Sequence, residues 1–152
     1  MTRGRSKPRI TWRTQIHMEL SRSCIPYTPL KRDLRDCRIG LVTTSGAYVE
    51  GMEPFTDNDL SFRLIPADTD AGKIRFVPGH FDTSKGALDT NIMFPLDRIR
   101  EMLSAGEIRK ITDYHISMGL TTELRKLKEQ VSWDIAEAVM KMRPDVIVLT
   151  GG

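Results

Sequence analysis

The chain is poor in cysteine, with Cys24 and Cys37 as its only two. They form neither a disulfide framework nor a C-x-x-C redox or zinc unit, which agrees with a reducing compartment. Long apolar runs are also missing: nothing approaches the roughly 18 apolar residues of a membrane-spanning helix, so a soluble protein with no membrane partner is expected. The opening MTRGRSKPRITWRTQIHMEL is basic but lacks an apolar stretch closed by small residues. It does not read as a secretory signal, and the cytoplasm is the expected location. Histidine is scarce and scattered at 17, 80 and 115, with no H-E-x-x-H or paired Cys/His spacing, so no metal is expected. Gly40, Gly46 and Gly51 do not spell G-x-G-x-x-G, and no G-x-x-x-x-G-K-[ST] occurs, which leaves a nucleotide-dependent enzyme without support.

What is present suffices for one folded domain: 152 residues, 39% apolar and 28% charged, a size that buries about 70% of the unfolded surface. Charge is unevenly placed. Residues 1–38 carry ten Lys/Arg against three acids, whereas 39–152 carry thirteen against seventeen. Residues 1–37 therefore read as a basic leader, kept largely irregular by Pro8, Pro26 and Pro29. Its only aromatics are Trp12 and Tyr27, and it has no helix-turn-helix or zinc-finger spacing. A solvated or partner-docking role is expected rather than nucleic-acid binding.

Regular structure is expected from Arg38 onward, with residues 38–152 forming the start of one α/β domain. Ile39, Leu41 and Val42 predict a buried strand ending at Thr43-Thr44-Ser45-Gly46. An acidic loop follows, then short strands over 61–65 and 74–77, closed by Pro66 and Pro78. Phe94-Pro95 opens a helix in which Leu96, Ile99, Met102 and Leu103 repeat with helical spacing, and Gly106 supplies the C-cap. Residues 108–111 predict another strand, and 113–119 a loop. Thr121 or Thr122 caps a long helix with an apolar stripe of Leu124, Leu127, Val131, Ile135, Val139 and Met142, stopped by Pro144. The methionines of these helices, Met102, Met140 and Met142, read as core filler. Val146 to Leu149 is uniformly apolar, the pattern of a central parallel strand covered on both faces, and it runs into Thr150-Gly151-Gly152. The alternation predicts an open, mostly parallel Rossmann-like or flavodoxin-like sheet, incomplete at its C-terminal end.

In such sheets ligands gather at the carboxyl ends of the strands, where a glycine-rich turn usually enters a helix. Here no crossover helix follows the turn at 150–152, so a longer natural chain is expected, with a C-terminal edge strand as the alternative. Three loops, 43–46, 113–119 and 150–152, are expected to converge on the carboxyl edge. Thr43, Thr44 and Ser45, with Gly151 and Gly152, could bind a substrate carboxylate through hydroxyls and backbone amides, or the first three could simply close a turn. His115, placed in a loop, could move a proton, or could be structural. Asp82 and Asn91 could serve catalysis or local loop capping.

The segments LVTTSG (41–46), SFRLIP (61–66), DTS (82–84), DTNIMFPLDR (89–98) and VIVLTGG (146–152) together resemble the selenoprotein B family of the glycine, sarcosine, betaine and D-proline reductases. The resemblance spans about 38–152 and rests on SFR-x-IP, DTS and N-x-x-FPLDR in that order. In layout the chain is most similar to the D-proline reductase type of subunit. The resemblance implies an oxidoreductase subunit that cleaves a Cα–N bond reductively, with a dithiol or thiol protein as reductant and an amino-acid substrate. It implies a selenocysteine, read from UGA, directly after Gly152, and a resolving cysteine nearby. It also implies a pyruvoyl group on a partner subunit, with no cofactor bound by this chain. The chain as it stands would then lack the catalytic atom. The competing expectation is a noncatalytic α/β interaction module whose basic leader binds an acidic partner or RNA.

Overall fold

A computed structural model of the chain describes residues 28–77 and 83–151. The leader up to Tyr27, Pro78, His80, Asp82 and Gly152 lie outside the described residues.

After a 3₁₀ turn at Leu34–Asp36, capped by the Asp33 side chain, the chain enters β1 (Arg38–Thr43), buried from Ile39 onward. The short β2 (Ala47–Val49) follows a turn in which Gly46 takes φ +67°, a left-handed conformation natural to glycine. Next come β3 (Phe62–Pro66), β4 (Ile74–Phe76), α1 (Ser84–Leu88) and α2 (Leu96–Ser104). Helix α2 ends in a Schellman motif: Gly106 N–H reaches the Leu103 carbonyl and Glu107 N–H the Met102 carbonyl, with Gly106 at φ +70°. β5 (Lys110–Ile111) and β6 (Tyr114–Met118) are two pieces of one interrupted strand. Then α3 (Leu124–Lys126) passes through a π-helical turn (Leu127–Val131) into α4 (Ser132–Met142), and β7 (Val146–Thr150) follows.

The architecture is mixed α/β with an open, mostly parallel five-stranded sheet, as the alternation of patterns implied. β1 is its centre. β7 runs parallel along one side of it, from Ile39↔Val146 to Thr43↔Thr150, and β5 and β6 run parallel along the other. β3 closes the far side, antiparallel to β6. β2 and β4 make a separate antiparallel pair.

Register decides which side chains share a face. Ile39, Leu41, Ile65, Val146 and Val148 meet Phe94, Leu96 and Ile99 in the main core. On the other face, the stripe of the last helix is its least exposed side, with Val131 buried and Leu124, Leu127, Ile135, Val139 and Met142 half-buried. Among the described residues no helix is long and apolar enough to cross a membrane.

Three expectations need correction. β7 is an edge strand of the described sheet rather than a central one, and its Leu149 is 75% exposed, because β1 alone pairs with it. Residues 114–118 form a buried strand, not a loop; the polar residues His115 and Ser117 disguise it because they face inward. The long helix is capped by neither threonine in the usual sense: Glu123 holds the N-cap position, and Thr121 Oγ1 accepts from its N–H at 3.1 Å.

Arg100 ties α2 to the strand that the SFR-x-IP segment builds. Its guanidinium donates to the carbonyls of Ala67 (2.6 and 3.1 Å) and Thr69 (2.6 Å) and pairs with Asp97 at 2.9 Å. Charge-assisted bonds of this kind are worth about 1.5–3 kcal/mol. Arg100→Met keeps the stem but leaves both carbonyls without their donor, and a loss of about 2 kcal/mol in urea unfolding is expected. A change below about 0.5 kcal/mol would show that the bonds hold nothing in place.

Candidate functional site

The carboxyl edge is where β1, β6 and β7 end together, and small residues crowd it. Thr43 Oγ1 donates to the Met93 carbonyl at 3.3 Å and lies 2.8 Å from Ser45 Oγ, whose hydroxyl can donate to it. Thr150 Oγ1 donates to that same carbonyl at 3.0 Å. One backbone oxygen thus pins two parallel strands to the loop ahead of α2. The close packing beneath that loop needs Gly86, where a Cβ would fall 2.3 Å from Met93 Sδ.

The N-x-x-FPLDR segment holds this loop in shape. Asp89 Oδ1 accepts from the Asn91 N–H (3.0 Å) and Nδ2 (2.9 Å), and Asn91 Oδ1 accepts from Asp97 N–H at 3.0 Å. These contacts hold the Asp89 carboxyl below the usual range, the Asn91 side chain most of all. Asn91 therefore does the local capping work that was one of its two sequence readings. In the SFR segment, Arg63 lies 4.4 Å over the Phe55 ring, donates to the Glu53 carbonyl at 3.2 Å and pairs with Asp59 at 3.3 Å.

The predicted site residues separate by exposure. Thr43 and Ser45 are fully buried, while Thr44 is exposed. Of the backbone amides proposed for a carboxylate, those of Thr44, Ser45 and Gly46 are already engaged. Thr44 N–H goes to the Thr150 carbonyl, Ser45 N–H to Thr43 Oγ1, and Gly46 N–H to the Met118 carbonyl. The turn-closing role is thus what these bonds accomplish, and the Thr44 hydroxyl is the group of this trio that faces outward. Gly151 is exposed beside it: a Cβ there would meet only Thr44 Oγ1, at 3.8 Å. Gly119, at the end of β6, sits against Gly46 and under the Phe55 ring.

His115 is not at this edge. It lies in the amino-terminal half of β6, fully buried, with its ring 6.0 Å from that of Phe94 in an edge-on arrangement. Its Nδ1 accepts from Leu41 N–H at 3.2 Å. Burial above all, and then the Arg100 charge, depress its pKa from 6.5 to about 4, so the ring is neutral at physiological pH. Two buried polar atoms here, His115 Nε2 and Ser117 Oγ, lack a hydrogen-bond partner among the described residues.

Cys37 lies at the opposite, amino end of β1, about 20 Å along the strand from the carboxyl edge. It is buried, with its Sγ 3.3 Å from the Asp33 carbonyl, and burial pushes its thiol pKa up. Such a thiol is a poor nucleophile. Among the described residues no cluster of three or more His, Cys, Asp or Glu is placed to hold a metal. Sequence reasoning missed the Met93 carbonyl, for which no side-chain signal exists.

Comparison with known proteins adds a family. The profile described as glycine/sarcosine/betaine reductase selenoprotein B matches residues 9–152. Over 128 residues the chain is 30% identical to the D-proline reductase subunit gamma of Acetoanaerobium sticklandii, covering 83% of this chain and 53% of that protein. Over 133 residues it is 25% identical to the glycine reductase complex component B subunit gamma of Symbiobacterium thermophilum, covering 83% of this chain and 31% of that one. The chain thus spans about half the length of the first relative and about a third of the second. No solved structure matches.

Proposed function

From the premise that this chain belongs to the glycine/sarcosine/betaine reductase selenoprotein B family, we propose that it is part of a subunit that reductively cleaves the Cα–N bond of a small amino acid. The candidate substrates are D-proline and glycine, sarcosine or betaine. The observation that carries this reading is the family match over nearly the whole chain. In the overall reaction the Cα–N bond opens, carbon and nitrogen each gain hydrogen, and a dithiol supplies both electrons and leaves as a disulfide. Partner subunits belong to this reading, because both relatives are named as subunits of reductases; one of them would carry the pyruvoyl group.

The selenocysteine expected after Gly152 is the other part of the proposal. Its support is the description of the matching family as a selenoprotein, beside relatives that are longer than this chain. When present, it supplies a polarizable nucleophile that is anionic at neutral pH. This chain's own residues provide the platform. Thr43 and Thr150, pinned to the Met93 carbonyl, fix the ends of two parallel strands, and Gly151 leaves clearance next to the exposed Thr44 hydroxyl. With the neighbouring amides engaged, that hydroxyl is the group of the turn free to donate to a substrate carboxylate.

Two measurements test the reading. Sequencing past the Gly152 codon should find UGA followed by in-frame sequence with a nearby cysteine; UAA or UAG without continuation removes the selenocysteine from the proposal. The full-length subunit, its pyruvoyl partner and a dithiol should release 5-aminovalerate from D-proline, or acetate and the free amine from glycine, sarcosine or betaine. No turnover of any of the four substrates would reject the reductase reading.

A further inference from the structure

We propose that His115 splices the interrupted strand onto β1, its imidazole standing in for a backbone carbonyl, and thereby sets where β1 and β6 meet at the carboxyl edge. The register shows why a splice is needed. β1 pairs Arg38↔Lys110 and Ile39↔Ile111, then resumes at Val42↔Ile116 and Thr43↔Ser117. Between these points the β5–β6 side holds two more residues than β1. A parallel ladder cannot run through such an insertion, so a buried β1 donor facing it needs another acceptor.

Leu41 N–H is that donor, and His115 Nδ1 receives it at 3.2 Å. The Thr112 hydroxyl lies 3.3 Å from the same Nδ1 but gives its proton to the Tyr114 carbonyl at 2.7 Å, which leaves Leu41 N–H as the donor to the ring. The insertion is accommodated by a second feature of the sequence. A Cβ on Gly40 would fall 2.9 Å from Ile147 Cδ1 and 3.0 Å from Thr112 Oγ1, so glycine gives Thr112 its close approach to β1. Gly40, Thr112 and His115 thus act as one unit.

The same geometry argues against proton transfer by this ring. Nδ1 is occupied as an acceptor, which places the proton on Nε2, and Nε2 has no hydrogen-bond partner among the described residues. A fully buried ring with one nitrogen committed and the other unconnected has no route for a proton. His115 is therefore a positioning residue. Its consequence for turnover rests on the reductase reading; the splice itself does not.

The test uses the full-length subunit labelled with ¹⁵N at leucine and histidine. Wild type should show an acceptor-type Nδ1 with a scalar coupling to the Leu41 amide, and slow exchange of that amide. Asparagine places Oδ1 where Nδ1 sits, whereas glutamine cannot. His115→Asn is expected to keep Leu41 amide protection within about 3-fold, and His115→Gln to lose about 10-fold or more. Reductase turnover should follow the same order, with asparagine rescuing and glutamine not. A proton-transfer role would instead cost both variants about 10²- to 10⁴-fold. That result, or an unprotected Leu41 amide in wild type, overturns the proposal. Absence of reductase activity would reject the functional reading, while the amide data would still decide the splice.

Discussion

Phe94→Ala is expected to lower the unfolding free energy of the full-length subunit by about 3–5 kcal/mol. Phe94 is fully buried in the cluster that joins β1, α2 and the β2–β4 pair, touching the side of the sheet that carries Ile39 and Leu41. Its ring also meets His115 edge-on. Truncation removes the transfer free energy of the ring and leaves a cavity that the surrounding strands cannot close, since each is held by its own ladder. The effect should reach the carboxyl edge, because the adjacent Met93 carbonyl receives both Thr43 and Thr150. Urea unfolding should show the loss as a lower midpoint with an unchanged slope. A loss under about 1 kcal/mol would mean that the core is not organised around this ring.

Acid should expose the burial of His115. The unfolded chain binds a proton on this residue below its ordinary value of 6.5, and the folded chain only near 4. Between those values the unfolded state holds the extra proton, so stability is fully present above pH 6.5 and declines as pH falls toward 4. The depression corresponds to about 3 kcal/mol in total, with a slope of at most about 1.4 kcal/mol per pH unit. Its cause is first the removal of the imidazolium from water and second repulsion from Arg100.

The carboxylates with lowered values, Asp59, Asp89 and Glu137, act in the same direction but in a more acidic window. The comparison that isolates His115 is therefore the stability of wild type minus that of His115→Asn across pH 4 to 7. This difference should shrink by up to about 3 kcal/mol as pH falls. Parallel curves for the two proteins would show that the ring is hydrated.

The elements legible in the sequence are those whose local pattern and tertiary role coincide. β1, α2 and the last helix bury apolar residues at the period of their own geometry, and Gly106 caps α2 because its left-handed backbone closes the Schellman bonds. The segments that carry the family resemblance also have local mechanical work. Asn91 closes the turn before α2, Arg63 folds onto Phe55, and Thr43 and Thr150 share an acceptor.

Other features depend on partners distant in the chain. β2 is three residues long and exists by pairing with β4. β6 reads as a loop because His115 and Ser117 are polar, yet both face inward once β3 and β1 flank them. The apolar run of β7 suggests a strand without saying who its neighbours are, and only the ladder with β1 assigns it an edge. Most consequential are the amides of Thr44 to Gly46. Local sequence offers them to a ligand, whereas the packed sheet commits them to Thr150, Thr43 and Met118. Periodicity and turn chemistry are local properties, so the sequence by itself determined β1, α2, the last helix, the α/β class and the family. Burial of polar groups and the choice of acceptor are properties of the assembled sheet, because a donor's partner is known only when distant strands are brought to within about 3 Å.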